Sequence, residues 1–543
     1  MSASEEFKNR IKRYEKAQEK FLEKQSRVAS AYKLSIPERD KWFTKSNSVD
    51  PSTRIYDDTA VYGVKHFASY ILWSLANPME QWINLKSTDT NKANAQSVDV
   101  KLQEISKKVY QVLSQSNFLL QADIALQDMA VSTGLLKIVG TGDQENPVKF
   151  EAIPLTDDVA FEEFDGQIEN VWRKINIPGR NIMRIWKHAV LGNDLEKKIK
   201  DSPDEEVTLI ECTIVNPDYD DKDKDSKRFN YYVMYKADGI DIVSEQYEIS
   251  DWIPFRASVS PGSVWGDGPI LQNLATIRNL NWAKGALQKS AGKGLAPPAL
   301  YQADQIINPQ NIDITLGEGA MIPVEDINNP PIKYLDMNHR MDLGELSLEE
   351  MKKSINRALF VDPIGEPGTV NTATEAKILE AQVARASMSL ISRIQSEFLR
   401  PIVRKTLYYM RKSGAISDIR VNNKNIDIVE NTVDINIELV SPLNLAKGVK
   451  DVQTFQMFYE IMQQVLADYA MGTVNIAELP SSIAKKLNID LSDIASSQEI
   501  KTLVSSLTTQ LSSQQTPQPQ PNLQVPTQSG AGSVENQPFD LPV

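Results

Sequence analysis

Few residues in this sequence have types and spacings suited to chemistry. A nucleophilic thiolate needs a base beside it, and a zinc centre needs three or four nitrogen or sulfur ligands. The chain holds one cysteine, Cys212, and three histidines, His66, His188 and His339, spread along 543 residues. The single cysteine excludes an internal disulfide framework and a Cys-based zinc cluster. Cys212 sits in a strand-like run and reads as a buried, inert thiol; a Cys212–His dyad is the alternative. Asp218, Asp220, Asp221, Asp223 and Asp225 form an acidic run between two strands. Matched to a calcium loop, it places Ser226 where glycine is required and Tyr232 where the bidentate glutamate belongs, so it reads as a solvated hairpin tip. No GxxxxGK[ST], HExxH, GxSxG or GxGxxG occurs. No enzyme, cofactor or metal site is expected.

One pattern is cationic. On a helix over 269–293, Arg278, Lys289 and Lys293 fall within about 60° of one another. Gly285 shares that face and Lys284 points elsewhere. The stripe either meets a polyanion or is solvated. The chain as a whole carries 59 basic and 72 acidic residues, a net charge of −13. Proteins that grip nucleic acid through its phosphates usually carry a positive excess, so any such contact here is local or weak.

The elements around these residues are mixed. Residues 4–31 read as a polar helix with eight basic and five acidic side chains, either solvated or an arm docking on a neighbouring subunit. Helices are expected over 58–76 and 99–114, and over 117–131 with Ser116 as cap. Strands follow at 135–139, 148–153, 158–164 and 167–177, with Asp165-Gly166 as a hairpin turn, then at 207–214 and 228–235. Pro269 opens the long helix. Residues 294–340 are irregular and rich in proline and glycine, with short β-prone runs. A helix over 347–360 begins at the capping-box pair Ser347 and Glu350. Residues 361–371 form a loop, and Thr372-Ala373-Thr374-Glu375 opens a helix to about 412, kinked at Pro401. Strands recur over 418–440 and helices over 448–470 and 476–510. From Ser505 the composition turns to Gln, Pro, Ser and Thr, with no Lys or Arg after Lys501, which reads as a disordered tail. No run of about 18 apolar residues marks a membrane helix. A terminus charged from residue 5 lacks a signal-peptide core, so folding in the cytoplasm is expected.

Four segments together resemble the portal, or head-to-tail connector, proteins of short-tailed (podovirus-type) bacteriophages: Arg54-Ile55-Tyr56-Asp57-Asp58-Thr59 with its helix and Asn77-Pro78; Ser116-Asn117-Phe118 with its helix to Gly134; Trp265-Gly266-Asp267-Gly268-Pro269 before the long helix; and Thr372-Ala373-Thr374-Glu375. Their order and spacing over 54–412 carry the resemblance. It implies a non-enzymatic α+β fold, mostly helical, assembled as a ring at one capsid vertex, typically a dodecamer. It also implies an N-terminal helix or arm over 1–40, a wing over 41–268, stem helices over 269–293 and 341–360 and a clip over 294–340. A tunnel loop follows over 361–371, then a kinked helix and wing return over 372–447, a helical crown over 448–504 and a tail over 505–543. Double-stranded DNA would pass through the ring during packaging and ejection. Partners would be the terminase large subunit, tail adaptor and nozzle proteins, the major capsid protein and scaffolding or internal core proteins, with no membrane.

The tunnel loop contains Asp362, Pro363, Gly365, Glu366, Pro367, Gly368 and Thr369. It would line the channel with little charge, or be an ordinary surface connector. The clip carries Asp304, Asp313, Glu318, Glu325, Asp326 and Asp336 against Lys333 and Arg340, an acidic tip suited to docking basic partner surfaces. The alternative is a non-ring internal scaffold or capsid component.

Overall fold

The computed structural model describes residues 3–42, 55–87, 92–295 (except 157, 221–222 and 224–225), 299–302, 321–324, 341–361, 388–416, 419–421, 424–426, 435–439, 456–457 and 483. The chain divides into two units, 1–447 and 448–543, and the named elements belong to the first.

The first helix, α1 (Ala3–Ser35), corrects the expectation of a solvated helix. Phe7, Ile11, Tyr14, Ala17, Phe21, Val28, Ala31 and Tyr32 recur at helical spacing, and all are buried. The aliphatic and aromatic stripe is narrow, and its charged neighbours hide it in composition. Next come α2 (Thr59–Leu75), β1 (Ile83–Ser87), α3 (Lys92–Gln115), which starts seven residues before the expected helix, and α4 (Phe118–Val131). Ser116 acts near the start of α4 as expected, its Oγ accepting the Phe118 amide at 3.1 Å.

Two antiparallel sheets follow. The three-stranded sheet has the order β3 (Val148–Ala152), β2 (Thr133–Gly140), β9 (Trp252–Arg256). The five-stranded sheet is a meander of β4 (Val159–Phe164), β5 (Gln167–Pro178), β6 (Glu206–Val215), β7 (Phe229–Tyr235) and β8 (Ile240–Tyr247). Asp165 and Gly166 join β4 to β5 with φ of 51° and 78°, the positive pair of a type I′ turn. Two short helices, α5 (Gly179–Ile185) and α6 (Asn193–Asp201), cross between β5 and β6. The strands β1, β8 and β9 were not legible. β9 is covered on both faces and interrupted by Pro254, so it has no alternation to read.

The expected helix over 269–293 is two pieces, α7 (Pro269–Gln272) and α8 (Leu274–Leu295), broken at Asn273. The Asn273 side chain donates to the Pro269 carbonyl at 2.9 Å, competing with the helical ladder. Gly268 approaches the Ala130 carbonyl so closely that no Cβ would fit there. Beyond α8, β10 (Ala299–Gln302) and β11 (Met321–Val324) pair in parallel. Helix α9 (Met341–Ala358) begins six residues before Ser347, so the Ser347–Glu350 pair lies within the helix and does not cap it.

Helical residues 388–394 run into a π turn, Gln395–Leu399, and then α10 (Arg400–Lys412). The expected distortion at Pro401 takes this form. Proline has no N–H and crowds the carbonyl four residues back, and the ladder widens so that the Arg400 amide reaches the Gln395 carbonyl. The hairpin of β12 (Ile419–Val421) and β13 (Lys424–Ile426) comes last, with β14 (Ile435–Leu439), which returns to pair with β1. These three short strands fall within the expected strand region 418–440.

Candidate functional site

The cationic stripe lies on α8. Arg278 and Lys289 are exposed, and Lys293 lies on the helix's last turns. Gly285 departs from expectation. It is buried under Tyr56, whose ring lies 2.6 Å from where a Cβ would stand. The stripe is therefore crossed by the segment 55–58 instead of running open. That crossing is built from the Ile55–Thr59 motif. The Asn281 side-chain carbonyl accepts the Tyr56 and Asp57 amides at 2.7 and 3.2 Å. Asp57 accepts the Thr59 amide at 3.0 Å, and pairs with Lys284 at 3.0 Å and Lys352 of α9 at 3.7 Å. Burial opposes ionisation of Asp57, but its hydrogen bonds with Thr59 and Lys284 outweigh it and hold the carboxyl below its usual range. One carboxylate thus fixes α8 and α9 to the start of α2.

Sequence reasoning missed Trp282. It is 75% exposed and lies about 40° from Arg278 on the helical wheel, placing an indole with no ring or hydrogen-bond partner among the described residues between the cations of the stripe. Its isolation among polar neighbours was the available signal. Ile270, Leu274, Ile277 and Leu280 are buried in the chain's own core, so this apolar face of α7 and α8 serves the monomer.

The other motif segments have structural roles. Asn117 pairs with the Phe150 backbone as a strand would, donating to its carbonyl at 2.8 Å and accepting its amide at 2.9 Å. Trp265 packs between Phe21 and Phe161, its ring tilted against both at centroid distances of 4.5 and 4.6 Å. Asp267 accepts from Lys24 at 3.3 Å and Ser260 at 2.7 Å.

Cys212 is fully buried and burial raises its thiol far from reactivity, as expected of an inert core cysteine. His66 and His188 lie on different elements, both exposed, and His339 is outside the described residues. Asp218, Asp220 and Asp223 are exposed between β6 and β7, and no metal-holding cluster occurs among the described residues. The clip carboxylates Asp304, Asp313, Glu318, Glu325, Asp326 and Asp336 lie outside the described residues. So do the loop residues 362–371, the Thr372–Glu375 box and nearly all of 448–543.

A half-buried polar joint fixes α10 to β9. Lys405 donates to the Trp252 carbonyl, and Tyr409 donates to Asp251. Burial pushes the Lys405 ammonium down to about 7, with Asp251 opposing. The folded state then binds fewer protons than the unfolded one between about 7 and 10.5, so this group's penalty is full below pH 7 and fades as pH rises. Lys405→Met is expected to flatten that rise by on the order of 1 kcal/mol. Urea midpoints of both proteins at pH 7 and 9 check this; equal slopes would contradict it.

The motif segments thus fix helices to one another and to sheets within a long α+β chain, and α8 keeps an exposed face of cations and an indole. Residues 8–494 match the family described as bacteriophage head to tail connecting protein. The chain belongs to that family, the portal or connector proteins of the phage particle. No curated protein matches the chain. No described helix is long and apolar enough to cross a membrane.

Proposed function

We propose that this chain forms a closed ring, a dodecamer by family resemblance, at one capsid vertex. The ring conducts double-stranded DNA into the head during packaging and out at ejection. It docks the terminase large subunit, then tail adaptor and nozzle proteins, and contacts the major capsid protein and scaffolding or internal core proteins. The family match over 8–494 carries this reading. In it, residues 41–268 and 372–447 are the wing, 269–293 and 341–360 the stem, and 294–340 the clip. Residues 361–371 are the tunnel loop and 448–504 the crown. A chain of net charge −13 gives an acidic conduit with few phosphate contacts, so the duplex passes with only weak, salt-dependent retention.

The exposed Trp282 supports a stem face that packs on a neighbouring copy, since a large unpartnered indole is an interface signature. Native mass spectrometry and negative-stain imaging of the purified chain test the reading. The expected result is a ring with an axial hole, which Trp282→Asp reduces to monomers while monomer stability stays within about 0.5 kcal/mol. A wild-type monomer or shell would overturn it.

A further inference from the structure

A cleft of about 750 Å³ lies between α10, the outer edge of β9 and the loops around residues 166, 228 and 249. It is within the size range of clefts that seat small ligands, roughly 300–1,000 Å³. The edge of β9 is already sealed. The Arg256 amide donates to Glu397 at 3.0 Å, Lys405 covers the Trp252 carbonyl, and Pro254 has no donor. A peptide therefore cannot add as another strand, and recognition must come from side chains.

The cations of the cleft differ in how they are engaged. Arg256 is held by Glu397 and Glu163, and Arg228 lies 3.7 Å from Glu169. Arg400 and Arg404 are exposed and have no ion pair or hydrogen bond among the described residues. They stand on α10, a helix of five basic and no acidic residues in a chain of net charge −13. Spaced four residues apart, they share a face and are separated by about 6 Å along the axis. Alternate residues of an extended peptide point the same way and are separated by about 6.6–6.8 Å. Two carboxylates flanking one residue fit two guanidiniums on successive helical turns.

We infer that this cleft is a docking site for an extended acidic peptide of a partner protein, in which two Asp or Glu residues separated by one apolar residue meet Arg400 and Arg404. The apolar residue points the other way, toward Ile168 and Ile249 among the lining residues that lie off α10. Asp165, Glu169 and Glu248 at the cleft wall repel a continuous polyanion but leave room for two discrete carboxylates. The inference holds whether or not the ring forms.

The test measures fluorescence anisotropy of the full chain with the labelled peptide Leu-Asp-Leu-Asp-Leu and with its isomer Asp-Leu-Leu-Leu-Asp. The first peptide should bind saturably and weaken with salt. Arg400→Ala with Arg404→Ala should weaken it at least about tenfold, and the isomer should bind several-fold less tightly. Both arginines are exposed, so folding should persist; circular dichroism verifies this. The reversed pair Arg400→Glu with Arg404→Glu should instead bind Leu-Lys-Leu-Lys-Leu. No binding by the wild type, or equal binding by the alanine variant, would overturn the inference. So would full displacement by a short DNA duplex, which would mark a nucleic-acid site. Binding by dissociated chains but not by assembled ones would mean that a second copy covers the cleft.

Discussion

Deletion of residues 1–35 is expected to leave a chain that does not fold. Helix α1 closes two cores at once. Phe7, Ile11, Tyr14 and Ala17 pack on Trp172, Cys212, Ile214 and Met234 of the five-stranded sheet. Phe21, Val28, Ala31 and Tyr32 join the main core around α2 and α4. Six of these side chains are large. Each contributes roughly 1.5–3 kcal/mol on burial, which sums to roughly 9–18 kcal/mol. A whole domain is stable by about 5–15 kcal/mol. Polar ties add direction to this packing: Arg10 pairs with Asp241, and Arg13 with Glu162 at 2.5 Å. Farther along, Tyr32 donates to the buried Asp128 at 2.8 Å and Arg39 pairs with it. The truncated chain should appear in the insoluble fraction. The point variant Phe21→Ala should remain folded but lose about 3–5 kcal/mol in urea unfolding. A soluble truncation with cooperative unfolding would contradict this role for α1.

Arg256→Ala is expected to cost about 3–5 kcal/mol, the range for breaking a buried ion pair by removing one partner. Arg256 is 1% exposed and joins four segments. Its guanidinium donates to both carboxylate oxygens of Glu397 at 3.0 and 3.3 Å, to Glu163 at 3.3 Å, and to the Val264 and Gly166 carbonyls at 3.0 and 2.9 Å. Glu397 lies on the π turn, so this residue ties β9, the β4–β5 turn and the glycine-rich turn before α7 to the distorted helix. Truncation leaves Glu397 with Arg393 at 3.1 Å and the backbone amide of residue 256 at 3.0 Å, and two carbonyls without their donor. Arg256→Lys should recover only part of the loss, because an ammonium cannot reproduce the planar fork. Urea unfolding of the single variants and of Arg256→Met with Glu397→Met checks the account. A double variant much less destabilised than the sum of the singles is the expected result, and additivity would contradict direct coupling.

The sequence by itself determined the local elements that a short-range signal marks. The β4–β5 hairpin follows from Asp165-Gly166, α4 from Ser116 and its apolar spacing, and the start of α7 from Gly268-Pro269. The inert Cys212 and the acidic, solvated β6–β7 connection were also legible, because hydrophobic period and turn chemistry act within about ten residues. The family resemblance rested on the same local motifs. Tertiary structure alone decided what those motifs touch. Helix α1 carries charge on most of its surface, and only the sheet behind Phe7 and Ile11 reveals that its thin apolar stripe is core. β1 is five residues long and is a strand because β14, some 350 residues later, pairs with it; long-range pairing leaves no local trace. The face of α8 reads as a continuous cationic stripe until Tyr56 folds across Gly285. That Arg400 and Arg404 have no ion pair among the described residues likewise becomes visible only once the side chains around them are placed.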